Sequence, residues 1–298
     1  MNTSKLNTGL APIIGTCAWS KEDWRGIFYP EHLGQSHWLE FYSRYFRTVE
    51  VDSTFYRVPS AHALEHWLES TPADFTFSCK MPRRITHELN LRDCDEALGF
   101  FLDRIALLQP KLGPILIQLP AHFAPKNDEL ALKSFLMKLP RRDFRFAVEF
   151  RHKGWHHPHL IHFFQKFGIS WVWNDLSPLA ETDRAPFEFV PETANFLYVR
   201  LMGDLATRYS KGGEPLHRYN SLLWPRTEAL ENWAAKISKH LTGEMRAFFY
   251  VSNHFEGCAP LTCQRIAAQF GMELALPQPS ELAGVSGDPN EPKQLGLL

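Results

Sequence analysis

Eight short apolar segments recur along the chain, and each has polar or charged residues near its carboxyl end. They cover residues 13–19, 48–55, 75–82, 113–120, 144–151, 170–175, 196–203 and 246–254. Most of them are followed by a stretch of helical character, and alternating strands and helices favour a parallel sheet whose faces are covered. Eight such units in 298 residues are typical of a closed barrel. We therefore predict an α/β fold, an eight-stranded (β/α)8 TIM-like barrel.

The sixth unit and the C-terminal end depart from this regularity. Residues 176–195, after the sixth strand, are interrupted by prolines and show no convincing helix. The last 22 residues contain four prolines and three glycines, a composition that favours loose order. Because no Pro/Gly/Ser-rich linker interrupts the middle, we predict one barrel domain over residues 1–276, with an irregular sixth unit, and a flexible tail over residues 277–298.

Strand alternation predicts which side chains point to the barrel axis. In the seventh strand, Tyr198, Arg200 and Met202 point inward, and Leu197, Val199 and Leu201 face the helices. The inward charged residues are three acids and three bases: Glu50, Asp52, Glu149, Lys80, Arg151 and Arg200. An unpaired buried charge costs several kcal/mol, so these groups are expected to pair. Two interpretations stay open: a structural lattice of ion pairs, or a polar pocket whose charges recognise a substrate and move protons.

The charge balance and the cysteine content indicate which binding partners and which cellular compartment to expect. The 32 basic and 33 acidic residues leave a net charge of -1, so a nucleic-acid partner is not expected, although a local basic groove stays possible. The five cysteines include no CxxC pair, which favours a reducing compartment. The N-terminus lacks a hydrophobic signal core, and no apolar run approaches the roughly 18 residues of a membrane helix. We predict a cytoplasmic protein with no membrane contact; the oligomeric state is left open.

Glu149 and Glu50 are the best candidates for a catalytic carboxylate pair. Paired carboxylates suit glycoside hydrolysis, with one acid and one base or nucleophile, and they also suit proton shuttling in an isomerase. In this hypothesis Glu149 is the base or nucleophile and Glu50 the partner acid. Lys80 stabilises charge, with a Schiff-base amine or a plain counter-ion as alternatives.

The remaining candidates would bind a small polar or anionic substrate, either a carbohydrate or a phosphorylated metabolite. Arg200 could hold an anion bidentately, and Lys211 in a Gly-rich loop could join it. Aromatic side chains at the strand ends suit a sugar face or a flat ring. The predicted substrate-binding residues are Trp19, Tyr56, Thr86, His87, Gln118, Arg151, Asp175, Arg200 and Asn253.

No cofactor is predicted, although a divalent metal stays possible. Its candidate ligands are Glu50, His87, Glu149, Asp175 and His254, but the inward bases weaken this hypothesis because a cation site should be net acidic. The His-rich stretch 152–159 has no spacing such as HExxH, so we interpret it as a solvated loop. The main hypothesis is thus a hydrolase, or an isomerase or lyase, that uses acid–base chemistry. The alternatives are a metal-dependent phosphodiesterase or repair-type nuclease, and a non-catalytic ligand-binding protein.

Several separated motifs resemble one known family. WRGIFYP, VEVDSTFYRVP, FSCKMPRRITH, IQLP, VEFRH and YVRL occur in order over residues 13–270, and through them the chain resembles the YecE-like family (domain of unknown function 72). The resemblance implies a TIM-barrel-like fold and a polar cleft at the carboxyl ends of the strands, and it supplies no reaction. The positions that match the family pattern are Glu50, Lys80, Thr86, His87, Gln118, Glu149, Arg151, Arg200 and Asn253.

Four places near the predicted mouth depart from that pattern. They are Cys17-Ala18 in place of Ser-Gly, Met202 in place of an inward His, Ser252 in place of Asn, and Thr262-Cys263 in place of Asn-Ala. These departures imply a changed specificity, or a reduced activity, relative to the family.

Overall fold

The computed structural model describes residues 11–175, 192–203, 217–241 and 244–283. Within these ranges, strands and helices alternate along the chain. The strands are β1 (Ile13–Thr16), β2 (Thr48–Val51), β3 (Thr76–Cys79), β4 (Ile115–Gln118), β5 (Phe146–Glu149), β6 (Ser170–Trp171), β7 (Trp173–Asn174), β8 (Phe196–Leu201) and β9 (Arg246–Val251). The helices are α1 (Trp38–Tyr45), α2 (Ala61–Glu69), α3 (Asp95–Ile105), α4 (Pro125–Lys138), α5 (Ile161–Phe167), α6 (Thr227–Ser238), α7 (Asn253–Glu256), α8 (Ala259–Gln269) and α9 (Pro279–Leu282).

The strands form two parallel sheets, so the prediction of a closed eight-stranded barrel is wrong. One sheet has six strands in the order β3-β2-β1-β9-β8-β7, and the other has three strands in the order β4-β5-β6. The strand ladders are short, and between β3 and β4 only the isolated bridges Phe77–Leu112 and Lys80–Leu116 connect the two sheets. The fold is therefore a mixed α/β arrangement with a break in the hydrogen-bonded ladder.

The predicted sixth strand divides between the two sheets. Ser170 and Trp171 pair with β5, whereas Trp173 and Asn174 pair with β8. The residue between them, Val172, donates its N–H to the Val148 carbonyl at 2.9 Å. Most of the irregular stretch predicted at 176–195 lies outside the described residues, as does the loop that holds Lys211.

Strand alternation separates two apolar layers, because successive side chains of a strand point to opposite faces. Leu197, Val199 and Leu201 of β8 pack in the large core under the helices. Tyr198 belongs to a smaller cluster on the other face, together with Cys17, Leu116, Ala147, Val172, Phe196, Met202, Phe248 and Tyr250. The inward orientation that the alternation predicts for Tyr198 and Met202 is the one observed.

The loop between β1 and α1 is held by an aromatic cluster. Tyr29 stacks on Trp38 with ring centroids 4.8 Å apart. Trp24 and Phe28 pack edge-to-face beside this pair, with their own ring centroids 5.9 Å apart. All four rings are buried. This packing fixes the position of Trp24, whose indole N–H donates to Asn253 at the start of α7.

Part of the predicted flexible tail is helical. α9 begins with a capping box formed by Gln278 and Glu281, an arrangement that satisfies otherwise unpaired N–H groups. The Tyr45 hydroxyl donates to Glu281 Oε1 at 2.6 Å and ties α9 to α1. Residues 284–298 lie outside the described residues, and a single domain over residues 1–276 stays a prediction. No helix in the described part of the chain has the length and apolarity that crossing a membrane requires.

Candidate functional site

A buried arginine joins the two sheets. Arg200 on β8 donates from Nη2 to Glu50 Oε1 of β2 at 2.6 Å and from Nη1 to Glu149 Oε2 of β5. None of the three side chains has exposed surface. The pairing expected for the inward charges is therefore present, and it links the six-stranded sheet to the three-stranded sheet.

The two carboxylates of this network have opposite pKa shifts. Burial alone would raise the pKa of Glu149, but Arg151 and Arg200 lower it to about 2, so Glu149 is ionised at neutral pH. Burial raises the pKa of Glu50 despite the neighbouring charge of Arg200. One guanidinium thus lies between a strongly ionised carboxylate and a more easily protonated one.

Hydroxyl groups extend the network into the interior. The Tyr198 hydroxyl donates to Glu50 Oε2 at 2.6 Å and lies 2.9 Å from Ser78 Oγ. Tyr250 and Thr48 form a second hydroxyl pair at 2.8 Å. These hydroxyls were not among the site residues predicted from the sequence. The inward position of Tyr198 on its strand was a usable signal, because a buried hydroxyl needs a hydrogen-bond partner.

A cavity of about 720 Å³ opens above this network, where the strands end. Six of the predicted site residues line it: Trp19, Tyr56, Lys80, Gln118, Arg151 and Asn253. Asp52 and His254 also line it. Glu50, Glu149 and Arg200 are not among the lining residues, so the catalytic carboxylates predicted from the sequence lie beneath the cavity.

Lys80 and Asp52 form an ion pair in the cavity wall. Lys80 Nζ lies 3.1 Å from Asp52 Oδ1, and the two side chains are 10% and 38% exposed. The same ammonium lies 4.3 Å from the centre of the Phe55 ring. Burial alone would raise the pKa of Asp52, but Lys80 and then Arg200 lower it overall. Asp52 therefore remains a carboxylate that faces the cavity.

Arg151 presents part of its guanidinium to the same cavity. Its Nε donates to Glu149, and its side chain is 14% exposed. Among the described residues, neither terminal nitrogen of Arg151 has a hydrogen-bond partner. Because a guanidinium binds a carboxylate or phosphate through two parallel N–H groups, this free edge suits an oxyanion.

Thr86 and His87 lie beside the lysine, not on the cavity surface. The His87 ring packs against Phe55 with centroids 4.9 Å apart, and its Nδ1 lies 2.8 Å from Thr86 Oγ1. Burial, followed by the positive charges of Lys80, Arg83, His122 and Arg151, lowers the pKa of His87 to about 4. His87 is therefore neutral at pH 7 in a region of positive potential.

Asn253 and Asp175 position backbone around the cavity. Asn253 Oδ1 accepts from Trp24 Nε1 at 3.1 Å and from the Ala259 N–H at 2.8 Å. Asp175 accepts from the N–H groups of Met202 and Gly203 at 2.5 and 2.7 Å. The side-chain oxygens of both residues thus hold neighbouring segments in place by accepting hydrogen bonds. Asp175 itself does not line the cavity.

The aromatic and amide side chains of the cavity wall differ in how far their existing contacts leave them available to a ligand. Trp19 packs edge-on against Trp67 at 5.1 Å, whereas Tyr56 is 79% exposed at the mouth. Gln118 donates to the Leu119 carbonyl at 3.2 Å. Tyr56 is therefore the ring most available to a ligand.

Three of the four departures from the family pattern occur in the cavity wall. Cys17 Sγ lies 4.0 Å from Met202 Sδ, and Ser252 lines the cavity next to them. The Ser252 hydroxyl accepts from the His254 N–H at 3.3 Å. The fourth departure packs away from the cavity, where Cys263 Sγ contacts the Gly15 carbonyl at 3.4 Å.

The possible metal ligands are not brought together. Across the ranges that the structure describes, no three His, Cys, Asp or Glu side chains are grouped as a metal site requires. In the His-rich stretch, His157 and His159 lie 3.2 Å apart through their Nδ1 atoms, and His159 contacts Glu129 at 3.3 Å. These groups are outside the cavity wall.

Comparisons with known proteins place the chain among uncharacterised relatives. It is 39% identical over 139 residues to the UPF0759 protein YecE of Escherichia coli K12, a match covering 47% of this chain and 48% of the relative. It is 29% identical over 151 residues to the UPF0759 protein YunF of Bacillus subtilis, covering 49% and 52%. The aligned part thus spans about half the length of these relatives.

Solved structures extend the similarity over most of the fold. A DUF72 family protein of Thermotoga maritima matches with a TM-score of 0.66 and 29% identity, over 87% of this chain and 97% of that one. A DUF72 family protein of Enterococcus faecalis matches with a TM-score of 0.64 and 19% identity, over 90% and 99%.

The family profile described as "Protein of unknown function DUF72" matches residues 13–283, a range that includes every described strand and the residues that line the cavity in the described part of the chain. The chain therefore belongs to the DUF72 family, as the sequence motifs indicated.

Proposed function

We propose that the cavity is the active site of an enzyme that binds a small anionic substrate and transfers a proton by means of Lys80 and Asp52. The observation that carries this proposal is the 3.1 Å ion pair between them in the wall of the cavity. A mostly buried ammonium held by one carboxylate is a costly arrangement, and it gives a site both a proton acceptor and a positive charge.

Arg151 is the anion-binding group of this proposal. Its position is fixed by Glu149, and its terminal nitrogens have no partner among the described residues. Neutral His87 supports the same function, because its surroundings are rich in positive charge. A phosphate or carboxylate group placed against Arg151 would also be attracted by Lys80.

The proton transfer uses the polarity of the ion pair. Asp52, which stays ionised because its pKa is lowered, accepts a proton from a C–H or O–H group of the substrate. Lys80 donates a hydrogen bond to the oxygen on which negative charge then develops. An isomerase, or a lyase that forms an enolate, needs this pair of roles.

The buried carboxylates act in this proposal by positioning other groups. Glu149 lies beneath the cavity with no exposed surface, and both of its oxygens are held by Arg151 and Arg200, so a substrate in the cavity does not reach it. Glu50 is covered by Arg200 and Tyr198. Their network orients Arg151 and fixes the strands that carry Lys80 and Asp52, a function that we prefer to the direct acid and base roles predicted from the sequence.

A thermal-shift screen of sugar phosphates, phosphate esters and sugar acids tests the anion site. A ligand should raise the melting temperature of the wild-type protein, and Arg151→Met should remove that increase. Arg265→Met is the matched control, because Arg265 also pairs through Nε with a fully buried glutamate, Glu256, at 3.2 Å, but outside the cavity. No stabilisation of the wild-type protein by any of these anions would contradict the proposal.

Turnover of a compound that binds tests the catalytic assignment. Lys80→Met and Asp52→Asn should each reduce kcat by about 100-fold or more, the usual size of a positioned acid–base group. Tight binding without turnover by the wild-type protein would instead indicate a non-catalytic ligand-binding protein. Unchanged kcat in both variants would show that the proton is moved by other residues.

A further inference from the structure

A second cavity lies at the opposite ends of the strands, where they begin. Its volume is about 580 Å³, and it is lined by Arg141 and Arg145 before β5, by Phe144 and Phe167, and by residues 192–196 before and at the start of β8. The candidate active site lies where the strands end. The two cavities are therefore at opposite ends of the strands.

Both arginines rest on aromatic rings. The Arg141 guanidinium carbon lies 4.2 Å from the centre of the Phe167 ring, and that of Arg145 lies 5.3 Å from the centre of the Phe248 ring. Stacking on a ring occupies the face of a guanidinium and leaves its N–H edge available. The rings therefore orient both groups before any ligand arrives.

The N–H groups of the two arginines are nearly unused. Arg145 Nη2 makes one long contact, at 3.5 Å, with the Leu112 carbonyl, and the side chain of Arg141 donates no hydrogen bond within the described residues. Neither has a carboxylate within ion-pair distance in that part of the chain. The acid in the lining, Glu192, is paired with His240.

A further positive charge lies beside them. Arg246 begins β9, opposite Phe196 in the strand register, and Phe196 lines the cavity. Burial and the charge of Arg246 both lower the pKa of Arg145, which reports repulsion between the two guanidinium groups. A bound anion would relieve this repulsion, whereas a neutral ligand would not.

We propose that this cavity binds a small phosphorylated molecule, with its phosphate oxygens on the N–H edges of Arg141 and Arg145. Two guanidinium groups held on ring faces suit bidentate binding of a phosphoryl group. The rings of Phe144 and Phe167 form an apolar wall for the remainder of the ligand. The site is separate from the cavity of the proposed enzyme and does not depend on that function.

Isothermal titration with inorganic pyrophosphate tests the site. The Arg151→Met background removes the anion-binding group of the other cavity, so binding that remains there reports the second cavity. Adding Arg141→Gln and Arg145→Gln should weaken binding by about tenfold or more, because the variant loses both charge-assisted contacts to the phosphate oxygens. Rising salt should weaken the binding as well.

Arg104→Gln is the matched control. Arg104 also rests on a ring, 5.4 Å from the centre of Phe100, but it lies outside the second cavity. This variant should bind pyrophosphate as the parent does, and circular dichroism should show that all variants are folded. Either of two results overturns the proposal: no pyrophosphate binding in the Arg151→Met background, or equal binding by the Arg141→Gln/Arg145→Gln variant.

Discussion

Arg200 Nη2 lies 2.6 Å from Glu50 Oε1, and neither side chain has any exposed surface. The same guanidinium binds Glu149 of the other sheet, so two buried carboxylates share this cation, and Glu149 pairs with Arg151 as well. Without Arg200, the fully buried Glu50 would have no cation partner among the described residues, and Glu149 would have Arg151 alone. The effect of substituting Arg200 follows from this loss.

Replacing Arg200 by methionine should strongly destabilise the fold. Loss of one partner of a buried ion pair typically costs about 3–5 kcal/mol in free energy of unfolding. Urea denaturation followed by circular dichroism measures the change. Arg44→Met is the control. The 3.0 Å ion pair between Arg44 and Glu40 is largely exposed, so it should contribute about 1 kcal/mol or less to the free energy of unfolding. Equal effects of the two substitutions would show that the buried network is not a stabilising element.

His87 should make the stability fall as the pH drops from about 6.5 to about 4. Its pKa is lowered from 6.5 to about 4 in the folded protein, so in this window the unfolded chain binds more protons than the folded one, and stability rises with pH. His87→Asn should flatten the slope of the free energy of unfolding over this range. His62→Asn is the control, because the His62 side chain is 94% exposed. If His87→Asn kept the slope of the wild-type protein, this assignment would be contradicted.

Gly203 should not tolerate alanine. Its φ is +69°, and an added Cβ would lie 1.9 Å from the His254 carbonyl oxygen. Gly168 has a similar φ of +61° with nothing within 4 Å of the corresponding Cβ position. Gly168→Ala should therefore cost about 1–2 kcal/mol for the left-handed conformation alone, and Gly203→Ala should cost clearly more. Thermal melts of the two variants measure the difference, and equal melting temperatures would mean that the Gly203 turn relaxes freely.

The five cysteines should react slowly with Ellman's reagent in the native protein. All are buried, and burial raises the pKa of the Cys79 thiol to about 12 and that of Cys17 as well. Since the thiolate is the reactive form, both effects slow the reaction. All five thiols should react in denaturant. Rapid reaction of one thiol in the native protein, lost in Cys17→Ser, would show that the cavity exposes Cys17.

The local features that could be predicted from the sequence are those with a short-range cause. Strand alternation predicted that Tyr198 and Met202 share one face and that Val199 faces the helices, because side chains alternate with a period of two residues. The need to neutralise buried charge predicted that Glu50, Glu149 and Arg200 would be paired. The motifs from WRGIFYP to YVRL identified the family.

The tertiary structure alone decided how the strands associate and which charges reach the ligand. The closed barrel was wrong because strand periodicity contains no information about where a hydrogen-bonded ladder breaks, as it does between β3 and β4. Alternation also places Glu149 and Arg151 on the same face without stating their depth. Only the folded chain puts Glu149 beneath the cavity and Arg151 in its wall, because depth depends on residues distant in sequence that pack above each group.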